Sequence, residues 1–158
     1  MELHRSRGCK FVTLVNVLGV GRETLRETLE SLIDAGLVTR NPGYGHPMRP
    51  EYVLTARGRR TAPVAERLLE ELERRDALEL GLKKWSLPVL AALGRESRFG
   101  ELKSRLAPVT PRALTLALKG LVRAGLVERR IHEAFPPATS YRLTSSGRPL
   151  GRLAARLV

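Results

Sequence analysis

One cysteine, three histidines and 4% aromatic residues leave this 158-residue chain with little of what builds a reactive centre. With Cys9 alone, no intrachain disulfide forms and no zinc cluster can be made from thiolates. His4, His46 and His132 are scattered, with no metal-ligand spacing and no Ser or carboxylate placed to make a catalytic set. Nor does any stretch approach the roughly 18 apolar residues of a membrane span. The early charges Glu2, Arg5 and Arg7 do not fit a signal peptide. These absences point away from an enzyme, a cofactor or metal site and a membrane, and towards a cytoplasmic protein.

What the chain has in excess is positive charge: 28 Lys and Arg against 16 Asp and Glu, a formal +12. A polyanion is the natural partner of such a chain. The excess is local. Residues 1–69 carry +4, residues 70–82 carry −3 and residues 83–158 carry +11. Arg outnumbers Lys by 23 to 5, a bias typical of GC-rich genomes that says nothing specific about function.

The chain also repeats itself. At an offset of 89 residues, without gaps, Leu25, Leu29 and Leu32 meet Leu114, Leu118 and Leu121, and Ala35-Gly36-Leu37-Val38 meets Ala124-Gly125-Leu126-Val127. The register continues through Arg40 and Arg129, Pro47 and Pro136, Tyr52 and Tyr141, Leu54-Thr55 and Leu143-Thr144, and Gly58-Arg59 and Gly147-Arg148. Each copy reads as a leucine-faced helix stopped by a glycine that supplies a left-handed cap, followed at once by a strand.

In the second copy the spacing predicts a helix from Trp85 to Leu93 and another from Arg98 to Leu106. A turn through Ala107-Pro108-Val109-Thr110-Pro111 follows, with Thr110 as N-cap and Pro111 in first helical position, then a third helix from Pro111 to about Ala124. Strands at Leu126–His132 and Ser140–Thr144, interrupted by Phe135-Pro136-Pro137, form a hairpin. Helix-turn-helix followed by a β-wing is the result, and with the first copy it makes a mainly α protein with small β-wings, an α+β fold of tandem winged helix-turn-helix domains. The first copy, residues 1–69, is incomplete at its front: the counterpart of the Trp85 helix would lie before Met1, so either that helix is absent or the start lies further upstream. Pro63 to Gly81 reads as one long helix, so residues 70–82 form a rigid helical connector to a second domain at 83–158.

The second copy resembles the HxlR family of winged-helix regulators. The likeness rests on Lys84-Trp85-Ser86, Arg98-Phe99-Gly100-Glu101-Leu102, Thr110-Pro111-Arg112-Ala113-Leu114, Leu121, Ala124-Gly125-Leu126-Val127, Arg129-Arg130, Pro136-Pro137, and Tyr141-Arg142-Leu143-Thr144 with Gly147. The first copy is similar only through its third helix, wing and terminal helix, and its wing, Asn41 to Tyr52, departs in composition. The resemblance implies sequence-specific binding of double-stranded DNA by a bacterial transcription regulator, usually as a homodimer. Some HxlR relatives respond to redox through an N-terminal cysteine, which makes Cys9, beside Arg7 and Lys10, a candidate sensor. A lone cysteine is more often inert.

On the third helix of the second copy, Leu114, Ala117, Leu118, Leu121 and Val122 form the core stripe, leaving Arg112, Thr115, Leu116, Lys119 and Arg123 outward. Arg112, Thr115, Leu116 and Lys119 are assigned to base edges, because Arg and Lys donate to guanine while Thr and Leu meet the thymine methyl. Arg123, Arg98, Lys103 and Thr110 are assigned to the DNA backbone, and Arg130, His132, Thr139 and Arg142 to the wing. Taken singly, each of these cations reads as part of a solvated face; their grouping on a helix-turn-helix is what turns the set towards DNA. The equivalent face of the first copy is Glu23, Arg26, Glu27, Glu30 and Asp34, so a face of +3 becomes one of −3. Four carboxylates repel phosphate, which makes the first copy a structural partner, a dimerisation module or an effector module. Trp85, Phe99, Tyr52 and Tyr141 read as core aromatics. The rival to a DNA-binding regulator is a tandem winged-helix scaffold of the chromosome-segregation type, with little sequence-specific DNA binding.

Overall fold

The computed structural model describes residues 2–5, 8–41, 51–133 and 138–157. The chain divides into two compact units, Met1–Glu66 and Arg67–Val158. In the first, α1 (Glu2–Arg5), β1 (Cys9–Lys10), α2 (Phe11–Leu18) and α3 (Arg22–Asp34) precede the hairpin of β2 (Val38–Asn41) and β3 (Glu51–Leu54). Helix α4 (Ala56–Glu73) begins in this unit and ends in the next. The second unit continues with α5 (Leu78–Gly81), α6 (Ser86–Ala92), β4 (Ser97–Arg98), α7 (Phe99–Arg105) and α8 (Pro111–Arg123). It closes with β5 (Val127–His132), β6 (Ala138–Leu143) and α9 (Gly147–Ala154).

Each unit holds one three-stranded antiparallel sheet of the same order, β1-β3-β2 and β4-β6-β5. The fold is mixed α+β, in tandem winged helix-turn-helix units. The two-residue strands β1 and β4 escaped the sequence reading because two residues show no periodicity. Each pairs with the returning wing strand at its tyrosine, Cys9 with Tyr52 and Ser97 with Tyr141. These strands and the helices after them align at a spacing of 88, not 89, since α2 starts at Phe11 and α7 at Phe99. From the start of α7 to the start of α8 the chain is therefore one residue longer than from the start of α2 to the start of α3, which an ungapped comparison hides.

One expectation needs correction. The stretch from Pro63 to Gly81 is not one helix: α4 starts earlier, at Ala56, and stops at Glu73. Asp76 then takes a left-handed conformation, φ 51°, and the Ala77 N–H returns to the Leu72 carbonyl at 2.9 Å, closing the helix end. Ahead of β1 the first unit has a short helix, α1. Wing positions 42–50, and Phe135-Pro136-Pro137 with them, lie outside the described residues.

The glycine stops behave alike in both units. Gly36 and Gly125 have φ of 67° and 68°, and the next N–H reaches back to the Leu32 and Leu121 carbonyls at 2.9 and 3.0 Å. A side chain is costly in that left-handed region, which explains why Ala-Gly recurs. The second unit's core gathers Leu114, Leu118 and Leu121 of α8 with Val89, Leu90 and Leu93, and with Leu126, Val127 and Leu150. Each fully buried leucine contributes roughly 1.5–3 kcal/mol. The first unit's core is built around Cys9, Leu14, Leu25, Leu29 and Val38. Tyr52 packs on that core, and Trp85, Phe99 and Tyr141 pack on the second.

Candidate nucleic-acid interface

Helix α8 is held from its first turn. The Thr110 hydroxyl accepts the Ala113 N–H at 3.2 Å, and Pro111 needs no partner for the N–H it lacks. Leu114, Leu118 and Leu121 are at most 2% exposed, which fixes the rotation of the helix. That rotation turns Arg112, Leu116, Lys119 and Arg123 to solvent, with Leu116 62% exposed, and leaves Thr115 half-buried among them. The first turn holds no acidic residue and the last turn holds Arg123. The N-terminal end therefore keeps its partial positive charge, which suits an anion.

Arg98, the N-cap residue of α7, and Lys103 within that helix are both exposed. The Arg98 N–H donates to the Glu101 carboxylate at 3.1 Å, capping the helix and leaving the guanidinium outward. Thr110 Oγ1 accepts in the cap, which leaves its own O–H to donate to a phosphate at the helix end.

The wing is more tied down than residue types alone suggest. Glu128, Arg130 and His132 alternate along one face of β5, opposite Arg142 and Ser140 of β6. The Glu128 carboxylate accepts Arg142 Nε at 2.8 Å and lies 2.7 Å from its Nη2, and it accepts Arg130 Nε at 3.1 Å. The Arg142 hydrogen bond, with that of Arg130 behind it, holds the Glu128 carboxyl below the usual carboxylate range. His132 Nε2 is 2.7 Å from Ser140 Oγ and 3.4 Å from Glu96 Oε1. Ser140 also donates to Glu96, and that bond leads the causes that lower the Glu96 pKa. Arg130 and Arg142 are thus both held by one carboxylate.

The opposite face of β5 carries Arg129 and Ile131, both exposed, Ile131 by 66%. Thr139 pairs with Ile131 and is half-buried. Sequence reasoning passed over Arg129, Ile131, Glu96 and Glu128 as candidates, although the parity of β5 with Val127 inward places the first two together. It also missed Arg105, whose Nη1 donates to the Ala92 carbonyl at 2.6 Å and Nη2 to Ser97 Oγ at 2.5 Å. That arginine closes the C-terminal end of α6, where a cation is favoured.

On α3 of the first unit, Glu23, Arg26, Glu27, Glu30 and Asp34 are all exposed, and Arg26 lies 3.9 Å from Glu23. Cys9 is 7% exposed, in β1. Arg7 lies outside the described residues. Among the described residues no group of three His, Cys, Asp or Glu could hold a metal, and no helix is long and apolar enough to cross a membrane.

A family model described as HxlR-like helix-turn-helix matches the chain twice, over residues 6–75 and 80–158. The chain belongs to the HxlR-like helix-turn-helix family. Both units of this HxlR-like chain fall within a match, including the first, which residue types alone had tied to the family only in part. Among curated relatives, an uncharacterized HTH-type transcriptional regulator of Methanothermobacter thermautotrophicus is 36% identical over 66 residues, 41% of this chain and 50% of that protein. The HTH-type regulator YdeP of Bacillus subtilis is 38% identical over 55 residues, 35% of this chain and 43% of that protein. The chain thus spans about half the length of the curated relatives it matches. Of solved structures, a putative MarR-family regulator from Porphyromonas gingivalis is 27% identical with a TM-score of 0.50, covering 56% of this chain and 87% of the other. The redox regulator HypR in its oxidized form is 28% identical with a TM-score of 0.50, covering 54% and 89%.

Proposed function

We propose that this HxlR-like chain is a transcription regulator that binds double-stranded DNA sequence-specifically through α8 and the wing of its second unit. One observation carries the reading. Two equivalent helices in one chain present opposite faces, Arg112, Lys119 and Arg123 on α8 against Glu23, Glu27, Glu30 and Asp34 on α3. A cationic, acid-free helix suits the major groove; the acidic one is repelled by its phosphates. Arg112, Thr115, Leu116 and Lys119 address base edges. Arg98, Lys103, Arg123 and the Thr110-capped helix end address the backbone, and the wing contributes through Arg130, His132, Thr139 and Arg142, with Arg129 added. The reading is of a cytoplasmic, non-enzymatic protein without a cofactor.

Selection of bound sequences from a random duplex pool tests this. Recovery of one short motif is expected, and an inverted repeat of it would mean two second units on one site. Weak, salt-sensitive binding without enrichment would overturn it in favour of a protein-interaction scaffold. The exposed Val12, Val17 and Leu18 of α2 are the observation on the scaffold's side.

A further inference from the structure

The second unit has a cavity of about 430 Å³ where the turn after α6 meets β6 and α9. At the spacing of 89, its Leu143 and Arg148 correspond to Leu54 and Arg59, which line a cavity of about 340 Å³ in the first unit. The cavity therefore comes with the repeat, but its charge does not. Arg95, Arg142, Arg148 and Arg152 wall the second unit's cavity, against the single carboxylate of Glu96. In the first unit Val53 and Pro63 stand where Arg142 and Arg152 do, and Arg59 donates to the Leu54 carbonyl at 2.8 Å.

The four arginines differ in what already holds them. Arg142 reaches the cavity from the wing, where Glu128 binds it. The guanidinium groups of Arg95, Arg148 and Arg152 have no hydrogen-bond or ion-pair partner among the described residues, and the Glu96 carboxylate is taken up by the Ser140 hydroxyl. Arg148 stands in the first turn of α9, where the helix's partial positive charge disfavours a cation, and Arg152 follows four residues on as a like-charged neighbour. Both arrangements cost stability by themselves, and an anion among these side chains relieves both. The carbonyls that end α6 would repel an anion, but Arg105 already covers that of Ala92 at 2.6 Å. The rest of the lining is alanine, leucine and glycine, and a cavity of this size suits a small organic molecule.

We propose that this cavity binds a small molecule bearing a phosphate group, which Arg95, Arg148 and Arg152 hold while its carbon body rests on the apolar lining. A carboxylate offers two oxygens in one plane. A phosphate offers three and a second charge, and so can use guanidinium groups that approach from both the α6–β4 turn and α9. No lining residue comes from α7 or α8, and Arg142 alone is shared with the set assigned to DNA. The site therefore stands or falls separately from the DNA reading.

Isothermal titration calorimetry of the full chain with inorganic pyrophosphate, at one fixed ionic strength, tests it. Saturable binding of a single ion per chain is expected. Arg148→Gln with Arg152→Gln, both at exposed positions, is expected to weaken it by about 10-fold or more. Arg40→Gln with Arg60→Gln, at two exposed positions of the first unit, removes the same charge and is expected to change it by less than about 2-fold. A wild type without saturable binding would overturn the proposal. So would an equal loss from both pairs, because net charge alone would then account for the binding. On a short duplex DNA at the same ionic strength the two pairs are expected to bind equally well. A greater loss from the Arg148 and Arg152 pair would assign these arginines to the DNA backbone and overturn the proposal.

Discussion

Gly147 lies so close to Leu126 that a Cβ on it would sit 2.0 Å from the Leu126 carbonyl oxygen, and Gly58 stands in the same relation to Leu37. The threonine three residues earlier completes the lock in both units. Thr144 Oγ1 donates to the Gly125 carbonyl at 2.7 Å and accepts the Gly147 N–H at 3.1 Å; Thr55 does the same with Gly36 and Gly58 at 2.7 and 3.0 Å. The stop of the third helix, the start of the wing and the start of the last helix are thereby fastened at one point. Gly147→Ala is expected to destabilise the second unit by about 3 kcal/mol or more, since backbone oxygen cannot yield as a side-chain end can. Urea unfolding followed by circular dichroism measures this. A loss under about 0.5 kcal/mol would show that the contact relaxes freely.

Reversing charge on the two equivalent helices separates reader from non-reader. Arg112→Glu with Lys119→Glu is expected to lower affinity for the selected DNA by about 100-fold or more. Glu23→Ala with Glu30→Ala is expected not to weaken it. Mobility shifts at one fixed salt concentration compare the two, and a strong loss from the second pair would place α3 on DNA.

Glu128 neutralises part of the wing by holding Arg130 and Arg142 together. Glu128→Gln frees one positive charge near any bound phosphate, so DNA affinity is expected to rise by about 3- to 10-fold and the salt dependence to steepen. A fall in affinity would mean that the carboxylate's hold on the arginines matters more than its charge.

Glu71, only 8% exposed, receives Arg74 at 2.6 Å and Arg75 through a shorter contact. Burial works to raise its pKa, but the Arg75 and Arg74 hydrogen bonds win and hold it below the ordinary carboxylate value. A lowered folded-state pKa gives stability that is present above the unfolded value and lost as pH falls through the folded one. Thermal unfolding at stepped pH is expected to show the wild type losing stability below the ordinary glutamate range. Glu71→Gln should be flatter there and weaker at neutral pH by about 1–2 kcal/mol, Arg74 being largely exposed. Equal pH slopes would remove Glu71 from the account.

Cys9 is buried in β1, and a reactive thiol needs access. Cys9→Ala is expected to bind the operator as the wild type does, with and without oxidant. An oxidant effect present only in the wild type would restore the sensor reading.

Much of this was legible without coordinates. The leucine period of α8, its Thr-Pro start, the Ala-Gly stop and the repeat of all three announced a helix with one buried face, and burial of Leu114, Leu118 and Leu121 bears that out. The outward set followed by subtraction, because a 3.6-residue period leaves no freedom once the core stripe is known. Elements too short for periodicity, β1 and β4, were not legible, nor was the break at Asp76, where a non-glycine residue takes the left-handed cap.

Order along one helix or strand is local, and so the sequence by itself determined the repeat, the winged helix-turn-helix reading and the opposed charges of α3 and α8. Contacts between residues far apart in the chain carry no such period. Only the tertiary structure decided that Glu128 of β5 holds Arg142 of β6 and that Ser140 links His132 to Glu96. Each depends on which strands and helices pack together, and packing brings together side chains whose sequence separation says nothing of their distance.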